Sequence, residues 1–153
     1  MKTKYILILL IFCAITGKSF GQSKLFDKYA EMDNVTSVYI SKAMFQMMPA
    51  IEGVGTSLMN LKGKVESLQL VSTERPDQIP QMRKEFVDLI GKQHAELMRV
   101  RHSKTKATFY ADMKGDQIKD LLMLADTDSS FTVIQLKGDF TLQEIQEIAK
   151  EME

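Results

Sequence analysis

Residues 97–137 read LMRVRHSKTKATFYADMKGDQIKDLLMLADTDSSFTVIQLK, and this stretch decides the fold. Leu97 to Arg101, Ala107 to Met113, Ile118 to Ala125 and Phe131 to Lys137 are rich in residues that suit a half-buried pleated surface. Between them lie only Ser103-Lys104-Thr105, Lys114-Gly115-Asp116 and Asp126 to Ser130, which are short polar turns. Strands joined so tightly run antiparallel, so the stretch predicts a four-stranded antiparallel meander. Strand parity sets Ala107, Phe109, Ala111 and Met113 on one face and Thr108, Tyr110 and Asp112 on the other. The more apolar set is expected to face the helices. Leu121 to Leu124 and the pair Val133 and Ile134 are apolar on both faces, so some apolar surface must lie on the far side too. If residues 25–61 leave that side open, Tyr110, Val133, Arg99 and Arg101 are the candidate partner-binding residues, since Tyr and Arg around an apolar centre suit an interface; the alternative is that the N-terminal helix covers the face and these residues are plain core.

Downstream, Thr141 as N-cap and Glu144 three residues later form a capping box, with Phe140 placed to staple onto Ile145. Leu142, Ile145, Ile148, Ala149 and Met152 give the helix its apolar face. Upstream, the apolar positions of Ile79, Met82, Phe86, Leu89 and Ile90 recur at helical spacing, with Pro80 tolerated in the first turn. Val65 to Val71 and Val35 to Ile40 read as strands. A helix capped by Ser23 carries Leu25, Phe26, Tyr29 and Met32, and a second begins at Ser41 and runs through Met48 until Pro49 stops it. Gly53 and Gly55 mark a loop, and Leu58 to Leu61 a further helical turn. The expected class is α+β: a mixed sheet of about six strands, two early right-handed crossovers, and helices packed mainly on one face.

The N-terminus has the order of a secretory signal peptide, with Lys2 and Lys4, then the apolar run Tyr5 to Ile15, then small residues up to Gly21. Cleavage between Gly21 and Gln22 is expected, leaving residues 22–153 as a single domain. The apolar run is too short to span a bilayer, so no retained membrane span is expected. The only cysteine, Cys13, lies inside this run, and Phe12 stands where a lipoprotein signal needs a small residue. An exported domain without cysteine suits a Gram-negative periplasm or envelope. The whole chain has 20 basic and 20 acidic residues; Lys2, Lys4 and Lys18 leave with the signal, so the remainder is mildly acidic and offers nothing to nucleic acid.

No residue pattern marks a catalytic, cofactor or metal site. The run Glu52 to Gly55 lacks the third glycine of a dinucleotide loop, and Gly63-Lys64 is followed by Val65 where a phosphate loop needs Ser or Thr. Asp126, Asp128 and Ser130 alternate as a calcium loop does, but Phe131 and Lys137 stand at the positions needing Gly and Glu. Met44, Met47 and Met48 share one helical face; core packing is the expected role, and copper(I) ligation the lesser one. His94 and His102 lack ligand-spaced companions and are read as satisfied or exposed. No cysteine follows the signal, and no serine sits in a nucleophile motif.

The segments Val38 to Pro49, Leu68 to Glu74, Leu97 to Arg101 and Val133 to Leu142, in that order, resemble a bacterial family known as domain of unknown function 4252. The resemblance runs from about Leu25 to Lys150. It implies a small exported envelope protein and carries no catalytic residues across; some relatives are associated with sigma-factor operons. Ser41 and Lys42 match the family's polar pair after the first strand. The expected function is a non-enzymatic envelope domain that binds a protein partner or itself. A carrier of a small apolar ligand or soft metal, held between sheet and helices, is the alternative.

Overall fold

The computed structural model describes residues 20–47, 63–91 and 94–151. The elements run α1 (Phe20–Ala30), β1 (Val35–Ser41), α2 (Lys42–Met47), β2 (Val65–Thr73), α3 (Ile79–Ile90), β3 (Ala95–His102), β4 (Thr105–Lys114), β5 (Gln117–Asp126), β6 (Phe131–Thr141) and α4 (Leu142–Glu151). The class is α+β. The six strands form one sheet in the order β1-β2-β6-β5-β4-β3, and every neighbouring pair is antiparallel.

That pairing corrects the expected mixed sheet. β1 and β2 are adjacent and antiparallel, so the long connection between them is no parallel crossover. Only the passage from β2 through α3 to β3 crosses the sheet, and it joins strands that are not neighbours. The first helix starts at Phe20, ahead of its expected Ser23 cap, and runs through the expected cleavage position. Residues 1–19 and the expected loop and turn at Pro49 to Leu61 lie outside the described residues.

The helices divide between both faces, which corrects the one-sided packing expected. Across β4, β5, β6 and β2, Thr108, Leu124, Val133 and Val71 are in register and so share a face. On that face Val71, Leu124 and Val133 pack with Phe131 and Leu122 against Phe26 and Tyr29 of α1 and Met82, Phe86 and Ile90 of α3. Phe26 meets Phe86 edge-on at 5.1 Å, and Tyr29 lies 5.6 Å from the same ring. The buried stripe of α3 is the 3.6-residue pattern read in the sequence. Tyr29 donates to Glu85 at 2.7 Å, and Lys28 pairs with the same carboxylate at 2.8 Å, tying α1 to α3. Burial, then that hydrogen bond, pushes the Tyr29 phenol far above its usual range.

On the opposite face, α2 and α4 cover one end. Ala111, Ile118, Phe140, Val65 and Ile145 form a second cluster there, joined by Phe45, Leu136 and Leu142. The capping box at α4 forms as the sequence predicts: the Thr141 N–H donates to Glu144 at 2.8 Å and the Glu144 N–H to Thr141 Oγ1 at 3.3 Å. Phe140 is fully buried against the cluster that holds Ile145. The expected apolar positions Ile148, Ala149 and Met152 lie outside the described side chains. Ser41 caps α2, accepting from the Met44 N–H at 3.3 Å.

Candidate functional site

The face that α2 and α4 only partly cover is the most unusual surface of the molecule. Register assigns it Thr36, Val38 and Ile40 of β1, and Leu68, Leu70 and Ser72 of β2. From β6 and β5 it takes Thr132, Ile134 and Leu136, and Leu121, Met123 and Ala125. From β4 and β3 it takes Ala107, Phe109 and Ala111, and Ala95, Met98, Val100 and His102. None of these is Asp, Glu, Lys or Arg. Away from the helix-covered end the side chains stay accessible: Val38 is 42% exposed and Val100 44%, while Leu70, Met123, Ile134 and Phe109 are half-buried. An accessible, largely apolar face of this kind is often functional.

The strand alternation was therefore legible, and Ala111 and Met113 do meet the cluster under α2 and α4, but α1 and α3 take the Tyr110 face and leave Ala107 and Phe109 on the open side. Val133 is fully buried under α1 and α3, and Tyr110 is half-buried against the same core. The reason lies in the connection to α3: it leaves from Thr73, whose hydroxyl donates to Gln78 at 2.9 Å, and Thr73 shares a face with Val71 and Val133. Arg83 then locks α3 down through a two-pronged pair with Asp126 at the end of β5. That pair holds the guanidinium protonated to still higher pH than usual. Arg99 and Arg101 lie on the same face as Tyr110, on the exposed edge strand beyond the helices. Arg99 pairs with Glu96 at 2.8 Å. Arg101 lines a shallow groove of about 380 Å³ with Arg83, Lys104, Lys106 and Asp126. The structure thus separates the four residues that parity had grouped on an open face: two belong to the helix-covered core and two to a charged edge.

Two other sequence readings change. Met44 and Met47, expected in the core, are 53% and 76% exposed, because α2 turns Phe45 inward in their place; Met48 lies outside the described residues. Asp126 and Asp128 are ion-paired with Arg83 and Lys104, and the turn closes through the Thr127 N–H to the Ser130 carbonyl at 2.9 Å. Among the described residues no group of three or more His, Cys, Asp or Glu is placed to hold a metal ion.

A buried polar cluster escaped the sequence. Gln135 donates from Nε2 to both oxygens of Asp120, at 3.0 and 3.1 Å, and His94 Nε2 lies 3.2 Å from Asp120 Oδ2. The His94 and Asp120 side chains are 1% and 11% exposed. Its parts come from three segments far apart in the chain, and no local spacing joins them.

Residues 29–148 match the family described as Domain of unknown function (DUF4252). The chain belongs to this family. The match extends from the last turn of α1 into α4, so it takes in the whole sheet and both faces. No curated protein matches the chain. Among the described residues no helix is long and apolar enough to cross a membrane.

Proposed function

We propose that the chain is an exported, non-catalytic domain of a Gram-negative envelope whose open sheet face binds an amphipathic helical segment of a protein partner. The observation that carries this reading is the charge-free face running across all six strands, with Val38 and Val100 exposed on it and Leu70, Ile134, Met123 and Phe109 half-buried between them. The other face indicates the kind of occupant: there the same sheet is covered by two helices whose apolar stripes meet Val71, Leu124 and Val133. A partner helix laid beside α4 would complete the second layer in the same way. The β3 to β6 meander supplies most of the platform, and the order of charged, apolar and small residues before Gln22 supports export.

A photo-crosslinking residue at Val100, compared with one at exposed Asp88 on α3, tests the reading in envelope preparations. A discrete protein adduct from position 100, lost when Met123→Lys is added, is expected. Equal adducts from both positions, or none from position 100, would overturn it.

A further inference from the structure

The sheet has two edges, and they are built differently. Edge strands expose a row of N–H and C=O groups, and proteins guard them with charges, proline or bulges. β3 has such guards: Glu96, Arg99 and Arg101 lie along it, and a bulge interrupts its register between Glu96 and Met98. β1 has none. Val35–Ser41 carries no charge and no proline, and its register with β2 is unbroken from Val35↔Thr73 to Ser41↔Ser67. Among the described residues it pairs on one side only.

β1 is also complementary to itself. Tyr39 is 64% exposed, and two residues away on the same face Ser37 lines a groove of about 300 Å³ between α1 and the sheet, with Asp27, Ala30, Gln69 and Tyr39 itself among its walls. We propose that two copies of the chain pair edge to edge, β1 antiparallel to β1, about a two-fold axis through Val38. In that register Ser37 stands opposite the partner's Tyr39, which places the exposed ring over the groove, and the reciprocal contact forms by symmetry. The ends match in charge. Lys42, exposed just after β1, comes level with Asn34 of the partner subunit, beside the acidic pair Glu31 and Asp33 that precede β1, and this contact also occurs twice. The result is one twelve-stranded sheet. It uses the edge of β1 and not the open face itself, sharing with that face only Thr36, Val38 and Ile40.

Sedimentation velocity on the chain as recovered from expressing cells, across a concentration series, tests the pairing. A monomer–dimer equilibrium is expected, abolished by Ser37→Lys with the urea midpoint unchanged, and likewise by Tyr39→Ser should the lysine variant fail to fold. Lys42→Glu should weaken the dimer about fivefold, and adding Asp33→Lys should restore it. A wild-type chain that stays monomeric throughout overturns the proposal, as does a dimer indifferent to both edge variants. Loss of the dimer in Val100→Lys alone would move association to the open face and equally overturn it, while crosslinking from position 100 reports separately on the partner.

Discussion

Replacing Gly138 by alanine asks whether the joint between β2 and β6 is as tight as it looks. Gly138 faces Val65 where the register of the two strands shifts, and its backbone φ is not in the left-handed region, so the only cost of a side chain there is space. An added Cβ would fall inside contact distance of the Lys64 carbonyl oxygen and the Phe140 ring, and would stand only 3.0 Å from Phe140 Cε1. Neither neighbour can step aside cheaply. The Lys64 carbonyl accepts from the Asp139 N–H at 3.1 Å, and Phe140 is fully buried beside Ile118. Overpacking costs about 1–3 kcal/mol, and with both neighbours held the upper part of that range is expected. Two other glycines calibrate the result. Gly91→Ala meets only the Val87 carbonyl at an ordinary 3.4 Å and should be neutral or stabilising by up to about 1 kcal/mol. Gly115→Ala has open space but a φ of +66°, and should cost about 1 kcal/mol from backbone strain. Urea unfolding at constant m-value ranks the three. A Gly138→Ala variant less destabilised than Gly115→Ala would refute the packing argument.

Thr141→Ala should cost about 1 kcal/mol by removing a cap, and Phe140→Ala about 3–5 kcal/mol because the ring is fully buried; equal urea midpoints would contradict this. Lys64 holds the Glu144 carboxyl below its usual range, helped by the Thr141 N–H, and Lys28 does the same for Glu85. With folded values depressed, these carboxylates stabilise the fold above their unfolded range near pH 4.5, and that contribution is lost as pH falls through the lower folded values. Glu144→Gln, which can keep the capping geometry but loses the Lys64 ion pair, should lower the neutral plateau of a stability–pH curve and flatten its acid limb. Tyr110→Asp should lower the urea midpoint markedly, since the ring packs against the core under α1 and α3; an unchanged midpoint would return Tyr110 to an open face.

How far the chain could be read depends on which interactions are local. The cap at Thr141, the stripe of α3 and the turns at Ser103 and Gly115 are set by residues within a few positions of one another, and each stands where the sequence placed it. Alternation along β4 divided its residues correctly between two faces. It could not say which face the helices take, because β5 and β6 are apolar on both, and the choice rests on contacts such as Thr73 with Gln78 and Arg83 with Asp126. The richer set, Ala107, Phe109, Ala111 and Met113, was the reasonable guess for the covered side; Ala111 and Met113 do pack under α2 and α4, while Ala107 and Phe109 lie on the open part. The cluster of His94, Asp120 and Gln135 was illegible for the same cause, since only the folded register brings the three together.

The chain's only cysteine lies in the expected signal, so single cysteines placed after it report without background. The most direct test of the open face is the rate of maleimide labelling at Val100→Cys relative to Asp88→Cys, measured in intact envelopes and again on purified protein. Protection at position 100 in the envelope alone, with position 88 labelled equally in both, is the predicted result. Equal labelling of position 100 in envelope and purified samples would contradict a partner on that face.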